Sequence, residues 1–149
     1  MPIGHAFLTR AASPVATARP VATAARGLAA AGVLMSADVH LVLYLDGGFS
    51  SIPMVGPAFL LNAVGGIVIA LLVLLWRHPM SALLAVAFGV ATLTAFYISA
   101  TVGLFGVHET WGGTQVILAE VAKWVAIAGG LTALVVERRS PHRRAKAVA

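Results

Sequence analysis

Ala58 to Trp76 reads AFLLNAVGGIVIALLVLLW, a run with no charge and a single polar amide, Asn62. At about 1.5 Å per residue, a helix of this length crosses the roughly 30 Å of hydrocarbon in a bilayer. Pro57 suits the entry to such a helix. Trp76, Arg77, His78 and Pro79 mark its far end, where an interfacial aromatic is followed by a cytoplasmic cation and a helix breaker. The run is not isolated. Similar apolar stretches cover 27–45, 80–105 and 114–136, and the turns between them are short and rich in glycine and proline.

The expected fold is therefore all-α: a four-helix transmembrane bundle, up-down-up-down, with helices over about 27–45, 58–76, 80–105 and 114–136. With 60% hydrophobic and 10% charged residues, the 149-residue chain lies far outside ordinary globular composition, and no soluble domain fits beside the bundle. Residues 1–26 are basic, free of acids and interrupted by Pro2, Pro14 and Pro20, and are expected to be a disordered cytoplasmic tail. Residues 137–149 are expected to be a second basic cytoplasmic tail.

Charge sets the orientation. Arg10, Arg19, Arg26, Arg77, Arg138, Arg139, Arg143, Arg144 and Lys146 fall on one side, and the opposite turns carry only Asp46 and Glu109. Lys and Arg stay in the cytoplasm, so both termini are expected inside. The same rule accounts for the formal charge of +5 without nucleic acid. There is no cysteine, which excludes disulfides, thiolate metal sites, iron–sulfur clusters and covalent c-type haem.

Polar residues inside the runs are the functional candidates, because an ionisable group in hydrocarbon is costly and faces a partner, a cavity or a ligand. Asp38 and His40 lie about 12 and 9 Å from the outer end of the first run, and Glu120 and Lys123 about 9 and 13 Å below the start of the fourth. Asn62 and Tyr97 complete an outer-half cluster of Asp38, His40, Asn62, Tyr97, Glu120 and Lys123. Asp38 and Lys123, at nearly equal depth, are expected to form a buried ion pair beside Glu120, a pair that fixes helix register. Two acids against one lysine leave a surplus negative charge, which makes a proton or cation site, and transport by an oligomer, an alternative.

Asp46, His108 and Glu109 are outer-face candidates. Imidazole and carboxylate suit a divalent metal, and His40 with His108 would serve haem b as axial ligands, although no HxxxH or HExxH spacing is present. The plainer reading of His108, beside Glu109 and Trp111, is a polar cap among headgroups. Small residues recur every four positions at Ala87, Ala91, Ala95, Ser99 and Gly103, at Asn62, Gly66 and Ala70, and at Ala122, Ala126 and Gly130, seams that let helices approach closely inside the bundle. No Ser-His-Asp set, phosphate loop or dinucleotide fingerprint appears, so no catalytic residue is assigned.

IPMVGPAFLLNAVGG, Ile52 to Gly66, and ATVGLFGVHETW, Ala100 to Trp111, resemble segments of uncharacterised small four-span integral membrane proteins of actinobacteria. The resemblance implies this topology and a bacterial plasma membrane, and transfers no functional residue. The expected function is a non-enzymatic accessory or partner-binding membrane component. Its partners would be the bilayer and other membrane subunits or a second copy. No cofactor is expected, with haem b or a divalent metal as the alternative.

Overall fold

A computed structural model describes residues 14–148, with side chains over 19–139. Four helices follow one another: α1 Pro14–Leu45, α2 Val55–Leu75, α3 Pro79–Thr101 and α4 Thr114–Val148. Among the described residues there is no strand beyond one isolated bridge, Leu104 with Val107. The segments Arg19–Leu45, Val55–Leu75, Pro79–Thr101 and Thr114–Arg139 are each long and apolar enough to cross a membrane. This is the four-helix bundle read from the sequence.

The terminal segments differ from expectation. α1 begins at Pro14, so the part of the expected N-terminal tail from residue 14 onward is helical, and residues 1–13 lie outside the described residues. Pro20 sits within α1 and removes one backbone donor there. Alanines at 16, 18, 22, 24 and 25 favour helix around it, and Ala25 and Arg26 are buried against the rest of the bundle. α4 likewise continues to Val148 through the expected C-terminal tail.

α3 stops at Thr101, short of Phe105, for a local reason. Gly103 adopts a left-handed φ of 86° and its N–H closes back on Ile98 O at 3.1 Å, a glycine-terminated helix end. Phe105 and Gly106 then follow with φ of 50° and 81°. Leu104 and Val107 exchange both backbone hydrogen bonds at 2.9 Å, so residues 104–107 form a primed hairpin turn. At the other end of α3, Pro79 occupies the first turn and His78 Nδ1 accepts from Met80 N at 3.2 Å.

α1 packs against both α2 and α4, α4 also against α3, while α2 and α3 touch only slightly. The tightest approach is α1 to α4. A Cβ on Gly32 would stand 2.5 Å from Ala122 O, and one on Gly129 would stand 2.7 Å from Ala29 N. The interior is built of small residues: Ala29, Ala30, Val33, Ala70, Val73, Ala85 and Ala126 form one cluster, with Ile69 and Phe88 against it. Lipid tails are as apolar as leucine, so such a bundle is held by close contact rather than by expulsion of water.

The expected seams hold in two helices and fail in the third. Gly66 and Ala70 of α2, and Ala122, Ala126 and Gly130 of α4, are buried. In α3 only Ser99 of the expected seam is buried; Ala87, Ala91 and Ala95 are exposed, and the buried face runs through Ser81, Ala82, Ala85, Gly89, Leu93 and Ser99. Gly89 and Phe88 explain the rotation. Gly89 admits Ile127 and the α4 backbone, and Phe88 reaches across to Gly66. Both contacts are possible only with that face turned inward.

Candidate functional site

Above Phe88 the four helices enclose a partly open cavity of about 160 Å³ in the half of the bundle where α1 ends and α4 begins. His40, Asn62, Thr92, Ser99, Glu109, Glu120 and Lys123 are its polar lining, and Phe59, Phe96 and Phe105 supply rings. The hairpin turn forms part of the wall through Leu104, Phe105 and Val107, and is tied down by Ser99 Oγ donating to Val107 O at 2.9 Å.

Lys123 is 3% exposed. Its Nζ donates to Glu120 Oε1 at 2.5 Å, from the next turn of the same helix, and lies 5.0 Å from the centroid of the Phe96 ring. The charge pair is therefore local to α4. Glu120 Oε2 is buried without a hydrogen-bond partner, and so is Asn62 Oδ1 on α2. His40 Nδ1 lies 2.7 Å from Ser36 O, and since a carbonyl only accepts, Nδ1 carries the proton and a neutral ring leaves Nε2 as an acceptor. The ring meets Phe59 edge-on at 5.0 Å. At the cavity rim, burial raises the pKa of Glu109 above the ordinary carboxylate value, partly offset by the positive charge of Lys123.

Of the six residues expected to cluster, the structure brings His40, Asn62, Glu120 and Lys123 to one cavity and leaves out two. Asp38 is exposed on the outer surface of α1 and forms no ion pair with Lys123. The reason is angular: residues two apart on a helix point about 200° away from each other, and His40 takes the inward direction. Asp38 stands instead with the exposed Leu34, Met35 and Leu45. Tyr97 is also exposed, set edge-on to Trp111 at 5.1 Å and lining a shallow outer groove with Trp124.

The outer-face candidates separate too. Glu109 lines the cavity and Asp46 is exposed. The His108 ring lies over Gly103, where an added Cβ would meet Nε2 at 2.6 Å, and is not part of the cavity wall. His40 and His108 are thus not presented to a common space, and no cluster of three or more His, Asp or Glu with metal-holding geometry occurs among the described residues.

A second polar centre was not read from the sequence. Arg26, counted there only as a cytoplasmic marker, is 5% exposed at the opposite end of the bundle. Its Nε and Nη2 donate to the two oxygens of Glu137 at 2.6 and 3.0 Å. Nη1 donates to Val73 O, Trp76 O and Ser81 Oγ at 3.1, 3.3 and 2.9 Å, and Nη2 also to His78 O at 3.1 Å. One guanidinium joins α1, the end of α2, the α2–α3 turn and α4. The available signal was Glu137, the sole acid on the basic side of the sequence.

Among known proteins, no family profile, no curated sequence and no solved structure matches this chain.

Proposed function

We propose that this integral membrane protein is a non-enzymatic, partner-binding component of a bacterial plasma membrane, with both termini in the cytoplasm. The orientation rests on the basic residues gathered at one end of the bundle, and the bacterial membrane on the resemblance of Ile52–Gly66 and Ala100–Trp111 to actinobacterial four-span proteins.

Asp38 carries the partner reading. It stands roughly 12 Å inside the end of α1, on an outward face among Leu34, Met35 and Leu45, without an ion pair among the described residues. A carboxyl at that depth is stable only against a donor or a cation, and the bundle supplies none on that face. A neighbouring transmembrane subunit with an Arg, Lys or hydroxyl at the same depth does. Extraction in mild detergent from the native membrane, followed by native electrophoresis, is expected to give a complex larger than one chain, which Asp38→Leu dissolves without unfolding the protein. A monomer in both cases overturns the reading.

A further inference from the structure

The cavity has a chemistry of its own, independent of Asp38. Lys123 and Glu120 neutralise one another within α4, and the remaining lining acid, Glu109, is a carboxyl that burial favours in its neutral form, so an additional ion entering the cavity would lose its hydration without a full counter-charge. A neutral occupant fits better. The wall holds acceptors without partners: Glu120 Oε2 and Asn62 Oδ1 are buried and make no hydrogen bond, and a neutral His40 offers Nε2 as a third. A buried acceptor left unpaired is costly, so three acceptors on three helices around one space favour an occupant that brings O–H groups. Lys123 has N–H bonds beyond the one given to Glu120 and can donate to the same hydroxyl oxygen.

Size and shape narrow the class. About 160 Å³ is close to the cavity of roughly 150 Å³ that holds benzene in an engineered protein interior. Phe59, Phe96 and Phe105 line the space from α2, α3 and the hairpin turn, and rings prefer edge-to-face neighbours. Everything inward of the cavity is closed by the alanine and valine cluster beneath Phe88, so an occupant enters from the outer half. We propose that the cavity binds the hydroxylated single-ring head of a membrane-soluble aromatic amphiphile, with the hydroxyl among Asn62, Glu120 and Lys123 and the ring among the three phenylalanines.

Two probes separate the hydroxyl from the ring: 4-heptylphenol and its methyl ether, 4-heptylanisole. Each is dialysed to equilibrium against the full chain in lipid nanodiscs, with empty nanodiscs giving the partition into lipid alone. The phenol is expected to bind saturably, at one per chain and at least about tenfold more tightly than the ether, since the ether leaves the acceptors unpaired. Asn62→Leu is expected to shrink that preference while ether binding persists. Ala95→Phe, at an exposed position in the cavity wall, is expected to abolish binding of both with the unfolding temperature unchanged, which keeps the test sound even if Asn62→Leu fails to fold. Equal binding of phenol and ether overturns the hydroxyl assignment, and no saturable binding of either overturns the cavity as a site.

Discussion

Arg26 shows how much one side chain can organise in a small bundle. The last carbonyls of a helix have no partner within it and carry the negative end of its dipole. At the end of α2 they find the Arg26 guanidinium, whose planar fork also matches the Glu137 carboxylate. Removing it leaves both the carbonyls and a partly buried acid unpaired. Arg26→Ala is expected to lower stability by about 3–5 kcal/mol, measured by titrating the bundle out of mild detergent with SDS. Arg26→Lys should recover little, since an ammonium cannot reach both sides of the fork. An unchanged midpoint for Arg26→Ala would contradict the arrangement. Counting charges grouped this residue with Arg77, at whose end of the bundle it lies, but could not give it a partner, because positive-inside bias concerns position and not contact. Glu109 adds a dependence on pH. A carboxyl whose pKa is raised by folding binds more protons in the folded state, so its contribution is greatest in acid and is lost as pH rises through its folded value. Thermal melts from about pH 4 to about pH 7 should therefore show a destabilising slope that Glu109→Gln flattens.

Among the helices, the contact of α1 with α4 is the least tolerant of added volume. At Gly32 even a methyl group collides with backbone, Ala122 O and Ala126 N, which no rotamer change relieves. Gly32→Ala is expected to cost about 1–3 kcal/mol by forcing the helices apart. Gly65, in α2, has nothing within 4 Å of an added Cβ, so Gly65→Ala should be neutral or stabilise by up to about 1 kcal/mol through helix propensity. The same SDS titration on the pair separates packing from propensity, and equal effects would argue against the close approach. The seam in α2 and α4 was legible because small residues recur there on the face that happens to be buried. The equally regular alanines of α3 misled, because periodicity identifies a face without saying which way it turns. Phe88 and Gly89, a bulky residue beside a gap, are what decide it.

For the molecule as a whole, number of spans, helical class and bundle architecture were all readable from hydropathy, since a bilayer permits few alternatives to a helix. Depth of the polar residues was readable too, and it placed His40, Asn62, Glu120 and Lys123 at one level. Azimuth was not, and Asp38 was misassigned on that coordinate alone. The proposed orientation is open to a clean check because the chain has no native cysteine. Ser51→Cys and Thr110→Cys, at exposed positions in the two outer turns, should react with a membrane-impermeant maleimide on intact cells. Met80→Cys, exposed at the α2–α3 turn, should react only after the membrane is opened. The reverse pattern would invert the protein.

The two ends of the bundle differ mechanically. At one, Arg26 rivets three helices and a turn together; the other holds the cavity, and α2 and α3 touch only slightly along their length. A body built this way behaves like a pair of tweezers with its joint at the Arg26 end.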